Sequence, residues 1–319
     1  MRIFAISDIH TDYKDNMQWC RELSDFEYTE DALILAGDVS DDQAVFRETL
    51  QVLAAKFKDI FFVPGNHDLW TRRQERGVLD SVGKLAVLRR LCKEGGVRTE
   101  PAQVGGVWIA PIYSWYHASF DREPDVPGAP AVENVMVDFA ACQWPMSNAH
   151  DTSLAEFFDN LNEPSLSNLQ DRLEMEEEAT GARSPLITFS HFLPHQWLLP
   201  EKRMLFQPNL AKAAGSEYIA KRIEELRPIA HVFGHTHFAW DETMAGVRYV
   251  QWPLAYPQER ARRSDEGGAW RPLMLYDTAA GALSRQRHTY WAAHYREHVR
   301  NPANTEAAPW VKARMAMWR

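Results

Sequence analysis

The sequence alternates short apolar runs with amphipathic stretches, and polar side chains stand where each apolar run ends. The first run, RIFAIS, ends at Asp8, the second, ALILAG, ends at Asp38, and the third, DIFFVPG, ends at Asn66. Runs this short, bounded by Gly, Asp or Pro, are typical of buried strands. The stretch QAVFRETLQVLAAKFKD between the second and third runs repeats its apolar residues at helical spacing, and Asp41 or Asp42 can cap it. Strands that alternate with helices predict βαβ units and a largely parallel sheet.

Composition excludes several classes of function. The 319 residues are 45% hydrophobic, which is enough for one large domain or two smaller ones. The formal net charge of −9 argues against the broad basic face of a nucleic-acid-binding protein. No apolar run is long enough to span a membrane, and the first residues leave no room for a signal peptide before Asp8. Three widely spaced cysteines without a CxxC pair favour a reduced, cytoplasmic protein. Nothing in the sequence indicates an oligomeric state.

Side chains that can bind a metal follow five predicted strands. They stand in the stretches SDIH, GDVSD, GNHD, SHFLP and GHTH, and they are Asp8, His10, Asp38, Asp41, Asn66, His67, Asp68, His191, His235 and His237. Open α/β sheets bind their ligands at the carboxyl ends of strands, so these side chains are expected to meet. All the donors are oxygen or nitrogen. That chemistry favours Mn, Fe or Mg, with Zn as an alternative, over a thiolate site.

Each stretch alone also has a structural explanation. Asp8 and His10 are two positions apart, a spacing that many chains contain. GDVSD can be a turn that leads into a helix cap. A lone His191 is more often a core or turn histidine than a ligand, and His231 is expected in the core. GNHD is the most specific of the five, and the ordered set favours a metal site over five separate structural roles.

The five stretches together resemble the calcineurin-like metallophosphoesterase superfamily. Its pattern is DxH, GDxxD, GNH(D/E), a histidine after a later strand, and GHxH, and every position of it is filled between Asp8 and His237. The resemblance implies an α/β fold, a four-layer αββα sandwich of two mixed β-sheets flanked by helices. We expect the domain over 1–291, with a cap-like insertion at 117–183, and a C-terminal extension at 292–319 that packs on the domain.

The resemblance also implies a dinuclear metal centre. One ion would be held by Asp8, His10, Asp38 and His237, and the other by Asp38, Asn66, His191 and His235. Asp38 would bridge the two ions, because two cations about 3.5–4 Å apart need a shared anionic ligand. A metal-bridging hydroxide would then attack the phosphate ester. Two divalent ions are expected, Mn or Fe first and Zn or Mg as alternatives. On an extended segment the Cα atoms of His235 and His237 lie roughly 6–7 Å apart, so neighbouring imidazoles can serve neighbouring ions.

In the family pattern the GNH histidine faces the substrate, so His67 is the candidate catalytic residue. It would stabilise the transition state or protonate the leaving oxygen, and Asp68 would orient it and hold its proton. A metal-ligand role or a structural turn is the alternative for His67. Further side chains near the motifs are expected to contact the substrate, namely Arg72, Tyr113, Trp115, His117 and His195.

Three functions compete on these residues. The first is a phosphatase that acts on a small-molecule phosphate ester, because the insertion favours a covered pocket. The second is a phosphodiesterase that acts on a cyclic nucleotide or another small diester. A monoester dianion needs extra cationic contacts and a closed pocket, whereas a diester needs an open groove and either a better leaving group or a general acid. The third is a metal-binding scaffold without catalysis, which the complete set of motif residues argues against. Membrane and nucleic-acid partners are not expected.

Overall fold

Two β-sheets form the centre of the molecule. A computed structural model describes residues 1–145, 152–262 and 270–317. The strands of the described chain are β1 (Arg2–Ile6), β2 (Ala32–Leu35), β3 (Asp59–Phe62), β4 (Ala102–Val104), β5 (Val107–Pro111), β6 (Leu186–Phe189), β7 (Ala230–Phe233), β8 (Trp240–Met244), β9 (Val247–Gln251), β10 (Leu273–Asp277) and β11 (Ala282–Leu283).

Both sheets are mixed. The first has the order β11-β10-β1-β2-β3, and the second has the order β4-β5-β6-β7-β9-β8. Within the first sheet β1, β2 and β3 are parallel, and β10 and β11 are antiparallel additions at one edge. Within the second sheet β5, β6, β7 and β9 are parallel, with β4 and β8 antiparallel at the two edges. The parallel strands predicted from the sequence are therefore confirmed, and they are divided between two sheets.

Helices connect and flank the sheets. They are α1 (Lys14–Glu22), α2 (Gln43–Ala54), α3 (Ser81–Glu94), α4 (Asp138–Ala141), α5 (Ser153–Asn160), α6 (Glu163–Thr180), α7 (Glu217–Leu226), α8 (Pro257–Arg260), α9 (Tyr290–Glu297) and α10 (Pro309–Ala316). The carboxylate of Asp42 caps α2 by accepting the backbone N–H groups of Ala44 and Val45, as the sequence predicted. The expected arrangement of two mixed sheets flanked by helices is confirmed.

The segment between β5 and β6 has two parts with different surroundings. In the earlier part, residues 135–138 lie near the loops that follow β2 and β3, and α4 begins at Asp138. The later part contains α5 and α6, and these helices complete the crossover between two parallel strands. Leu154, Phe158, Leu166, Leu169 and Leu173 on α5 and α6 are buried in the main core. Of the cap-like insertion expected at 117–183, the described helices α5 and α6 contribute apolar side chains to the core, and residues 146–151 lie outside the described chain.

The residues after β11 pack against the domain at two places. Helix α9 lies against β8, and the side chains of Tyr295 and Trp240 stack with ring centroids 6.2 Å apart. Val311 of α10 joins a small apolar cluster with Val126, Ala307 and Ala308. Within the described ranges, no helix is both long and apolar enough to cross a membrane.

Candidate metal centre

Five loops bring the predicted ligands together at the carboxyl ends of β1, β2, β3, β6 and β7. Most of these residues have an unusual backbone conformation. Five of them have positive φ angles, namely Asp8 (52°), His10 (38°), Asp38 (56°), His235 (79°) and His237 (58°). Positive φ is uncommon for residues other than Gly and costs of order 1–3 kcal/mol each, and such strain tends to concentrate at functional sites. Its concentration in these loops supports a functional site at the sheet edges.

The first group of candidate ligands consists of Asp8, His10, Asp38 and His237. One donor atom from each lies within 4.8 Å of the donors of all the others. The Nε2 atom of His237 is 3.0 Å from Nε2 of His10 and 3.6 Å from Oδ1 of Asp8. Asp38 Oδ2 lies 3.8 Å from Nε2 of His10. The resemblance implies these four residues as ligands of one ion, and the structure brings their donor atoms close together.

The second group converges on the side-chain oxygen of Asn66. Its Oδ1 atom lies 3.0 Å from Nε2 of His191 and 3.0 Å from Nδ1 of His235. The same Nε2 of His191 is 3.5 Å from Oδ1 of Asp38. Asp38 therefore faces His10 with one carboxylate oxygen and His191 with the other, which is the placement a bridging ligand needs.

Three imidazoles are held so that one nitrogen presents a lone pair to the cluster. Nδ1 of His191 is 3.0 Å from the carbonyl of Ala36, and Nε2 of His235 is 2.7 Å from the carbonyl of Ala213. Since a carbonyl only accepts, each of these nitrogens carries the proton and donates it. Nδ1 of His237 likewise donates to the carboxylate of Glu259 at 2.7 Å. In neutral imidazoles the opposite nitrogens are then lone-pair donors, which is the usual arrangement of metal-bound histidines.

These donors fit a cation. The amide nitrogen of Asn66 donates to Asp138 at 2.8 Å, so its oxygen is the atom that faces His191 and His235. The oxygen of Asn66 therefore lies 3.0 Å from the lone pairs of two imidazole nitrogens, with no proton in either contact. Such contacts are repulsive unless a positive charge lies between the three atoms. Ligands on adjacent corners of an octahedron of radius about 2.1 Å are themselves about 3.0 Å apart. Both groups consist of oxygen and nitrogen donors, as hard and borderline divalent ions prefer.

Burial governs the protonation of the cluster. It raises the pKa of both Asp8 and Asp38, and the nearby carboxylates of Asp68 and Asp8 raise that of Asp38 further. Burial also lowers the pKa of His10 and His191 well below the usual value, and it lowers that of His235 to about 3. The imidazoles are therefore neutral near pH 7, and bound cations would offset the cost of the two buried carboxylates.

His67 lies beside the cluster and faces a cavity. Its ring stacks on Trp70 with centroids 3.6 Å apart, and its Nε2 atom is 3.2 Å from the hydroxyl of Tyr256. The same nitrogen is 3.9 Å from Oδ2 of Asp38. Burial is the main reason that the pKa of His67 lies well below its usual value. The side chain is 16% exposed, so the imidazole can meet a substrate next to the predicted ligands.

Asp68 does not orient the imidazole of His67, contrary to expectation. Its two carboxylate oxygens accept four backbone N–H groups at 2.8–3.0 Å, those of Asp38, Val39, Ser40 and Gly65. The carboxylate therefore joins the loop after β2 to the loop after β3. Gly65 is needed at this junction, because a Cβ atom there would collide with the carboxylate of Asp38. Asp68 shapes the site through the backbone of Asp38.

The expected substrate contacts are not at the cavity. Arg72 is held by two carboxylates, 2.6 Å from Asp41 and 3.0 Å from Asp42. The other four side chains make contacts elsewhere in the domain. Tyr113 donates to the carbonyl of Thr99, and Trp115 packs among the aromatic rings of Tyr116, Trp144, Phe158 and Phe192. The His117 ring forms a hydrogen bond with Ser119, and the His195 ring forms one with the hydroxyl of Tyr249. Trp115 enters the core because Phe158 of the following crossover packs against it.

The cavity has a volume of about 250 Å³ and lies over the cluster. Residues 135–138 of the β5–β6 connection form one wall with Gln207 and Leu210, and Trp70 and Tyr256 also line it. Sequence analysis missed Asp138, which accepts from both Asn66 and the indole of Trp70, as well as Tyr256 and Glu259. A lone Asp, Tyr or Glu outside the motifs carries no spacing signal, so only the fold identifies these residues.

Comparisons with known proteins agree with this geometry. The family model described as calcineurin-like phosphoesterase matches residues 1–239. The chain is 27% identical over 278 residues to the [Acyl-carrier-protein] phosphodiesterase PptH of Mycobacterium tuberculosis. The alignment covers 82% of this chain and 80% of that protein.

The fold is also similar to a solved structure. The crystal structure of Phosphopantetheinyl Hydrolase (PptH) from Mycobacterium tuberculosis aligns with a TM-score of 0.64 and 24% identity, over 86% of this chain and 95% of that one. The family match spans most of the chain. This protein belongs to the calcineurin-like phosphoesterase family and is a metal-dependent phosphoester hydrolase.

Proposed function

We propose that this enzyme is a phosphodiesterase, and that its substrate is the diester that joins a phosphopantetheinyl group to a carrier protein. The charge of the cavity is the observation that carries the proposal. Among the described residues that line it, none is Lys or Arg. The single negative charge of a diester can be matched by the ions alone, whereas a monoester dianion needs further cationic contacts. Arg72, the expected source of such a contact, is neutralised by Asp41 and Asp42.

The relative supports the finer choice of substrate. PptH is named as an acyl-carrier-protein phosphodiesterase, and it is similar to this chain over most of both lengths. The cavity wall is partly apolar, with Val135, Met136, Val137 and Leu210 beside the polar cluster. Such a wall suits an organic arm that carries the phosphate better than it suits a free phosphate group. The small-molecule phosphatase favoured by sequence therefore becomes the second hypothesis.

The ligand sets of the two ions remain those inferred from the sequence, with Asp38 between them. Divalent ions at these positions would lower the pKa of water and neutralise charge that develops on the phosphate oxygens. Asp8 and Asp38 would supply the negative charge that balances the ions. The imidazoles of His10, His191, His235 and His237 would complete the coordination.

His67 and Tyr256 are proposed to handle the leaving oxygen. A diester is a demanding substrate because its leaving alkoxide requires a proton. Nε2 of His67 lies at the cavity and already exchanges a hydrogen bond with the hydroxyl of Tyr256. An anionic phosphate beside Nε2 would raise the lowered pKa of His67, and the protonated imidazole would then deliver its proton to the leaving oxygen. The tyrosine hydroxyl would keep the imidazole directed at the phosphate. Stacking on Trp70 fixes the plane of the ring.

The test uses a phosphopantetheinylated carrier protein as the substrate. The chain loaded with Mn²⁺ or Fe²⁺ is expected to release phosphopantetheine, which intact-mass spectrometry detects as loss of that group from the carrier protein. The Asp38→Asn variant serves as the inactive control. If the carrier protein keeps its group while a panel of monoesters is hydrolysed, the diester assignment fails and the phosphatase hypothesis replaces it.

A further inference from the structure

A segment beyond the family match closes on the first metal-binding loop. The matched region ends at residue 239, and residues 253–260 follow β9. Their backbone is fixed against β1 and its loop, since Ser7 pairs with Pro253, and the N–H groups of Leu254 and Ala255 donate to the carbonyls of Ser7 and Asp8 at 2.9 Å. These backbone contacts hold the segment next to Asp8, one of the predicted ligands, and they do not depend on the side chains of the segment.

A buried asparagine strengthens the attachment. The Asn16 side chain donates to the carbonyl of Ala255 at 2.9 Å and to the carbonyl of Ile9 at 2.9 Å. Its oxygen accepts from Arg260 at 2.7 Å, so one side chain of α1 contacts the loop after β1 and both ends of the segment. The start of the short helix α8 is thereby placed accurately relative to His10. A side chain on α8 can act on the metal-binding loops without being a ligand.

Glu259 of α8 has such a position. Its Oε2 atom is 2.7 Å from Nδ1 of His237 and 3.3 Å from the backbone N–H of Tyr256. The carboxylate can only accept in both contacts, so the proton of His237 resides on Nδ1. Nε2 of His237 then presents its lone pair towards Oδ1 of Asp8, 3.6 Å away, and towards Nε2 of His10.

We propose that Glu259 is a positioning residue of the metal centre. It fixes the tautomer and the ring orientation of His237, and through the carboxylate it makes that imidazole a stronger donor to the ion shared with Asp8 and His10. Carboxylates that hold metal-bound histidines in this way typically account for a 10–100-fold difference in metal affinity. The proposal rests on the metal site of the proposed function, and it does not depend on which phosphate ester is the substrate.

Three variants test this role by metal binding alone. Glu259→Ala removes the acceptor, Glu259→Gln keeps a carbonyl oxygen that can accept the Nδ1 proton, and Gln258→Ala changes an exposed neighbour on the same helix. Titration of the metal-free full chain with Mn²⁺ or Zn²⁺ gives the affinity of each site. We expect about 10–100-fold weaker binding at one site in Glu259→Ala, recovery of most of it in Glu259→Gln, and no change in Gln258→Ala.

Thermal unfolding of the metal-free protein separates positioning from folding. Since the Glu259 side chain is 40% exposed, the metal-free variants should melt within a degree or two of the wild type. A Glu259→Ala protein that binds both ions with wild-type affinity would overturn the proposal. So would a Glu259→Gln protein as weak as Glu259→Ala, or a metal-free Glu259→Ala protein that is strongly destabilised. Diester hydrolysis by the wild type is unaffected by any of these outcomes.

Discussion

The Nε2 atoms of His10 and His237 lie 3.0 Å apart, although 227 positions of sequence separate the two residues. Nδ1 of His237 donates its hydrogen bond to Glu259, so in the neutral imidazole the Nε2 atom meets the ring of His10 with a lone pair. Nδ1 of His10 is buried and has no hydrogen-bond partner among the described residues. A cation shared by the two facing nitrogens would stabilise this arrangement when both imidazoles are neutral, as in two ligands of one ion.

Asp38→Asn is expected to remove metal and activity together. The carboxylate faces both groups of ligands, and an amide would carry neither the charge nor the second acceptor oxygen that bridging two cations requires. Elemental analysis after reconstitution should fall from two equivalents in the wild type to below one in the variant. If Asp38→Asn retains two equivalents, Asp38 does not bridge the ions.

His67→Ala is expected to lose activity and keep both metals. Its imidazole faces the cavity beside the ligands, and loss of a general acid typically costs roughly 10²–10⁴-fold in rate. Tyr256→Phe removes only the hydroxyl 3.2 Å from Nε2 of His67, so the loss in kcat should be smaller than that of His67→Ala. Steady-state kinetics and elemental analysis of the same preparations provide the check. Loss of an ion from His67→Ala would make His67 a ligand instead.

Asp68→Ala is expected to act first on stability. The change leaves four buried N–H groups without their acceptor, and each lost acceptor costs about 1–3 kcal/mol before any relaxation. Denaturant unfolding should show a loss of about 3–5 kcal/mol, with weakened metal binding as a consequence. The control Asp80→Ala removes a helix cap with a single N–H contact and should cost about 1 kcal/mol. Equal losses in the two variants would contradict the assigned role of Asp68.

His231 is expected to make the fold acid-sensitive. Burial lowers the pKa of its imidazole to about 3. The hydroxyls of Thr188 and Ser190 form hydrogen bonds with the two ring nitrogens. The unfolded chain binds a proton near pH 6.5, so between pH 6.5 and 3 it binds more protons than the folded chain does. The stability contributed by the neutral ring is therefore complete above pH 6.5 and is lost as the pH falls towards 3.

The matching variant is His231→Gln, which keeps a donor and an acceptor and does not titrate. Between pH 7 and pH 5 the metal-free wild type should lose about 2 kcal/mol more stability than the variant. Unfolding in denaturant at the two pH values measures both losses. Identical losses would show that His231 does not contribute to the acid sensitivity.

The sequence was sufficient to predict the parallel strands, because short apolar runs alternate with helical periodicity. It was also sufficient to predict that the motif residues cluster, because the motifs follow the strand ends at fixed spacings. The split of His235 and His237 between two groups was also expected, but its cause differs. An extended chain was assumed, whereas both residues have positive φ, and each ring is aimed by its own partner, Ala213 or Glu259. Backbone conformation of this kind is set by the surrounding loops and leaves no pattern in the sequence.

Substrate contacts were the least predictable feature. Trp115 and His117 follow a strand end as the ligands do, yet both are buried, Trp115 against Phe158 of α5 and His117 beside Phe120 and Tyr218. A position after a strand therefore does not distinguish the core from the cavity. Asp138 and Tyr256 reach the site from segments that carry no motif, and only the three-dimensional path of the chain places them there. Arg72 pairs with Asp41 and Asp42 and so does not contact the cavity. The sequence does not specify where these two carboxylates lie relative to Arg72.

The most direct measurement compares the hydrolysis of a chromogenic phosphodiester and a chromogenic phosphomonoester by one preparation, first metal-free and then reloaded with Mn²⁺. We predict no turnover of either ester without metal. On reloading, diester turnover should rise in step with occupancy and reach its maximum at two equivalents per chain, with kcat/KM for the diester above that for the monoester. Turnover without metal, or a monoester that is preferred at full occupancy, would contradict the account.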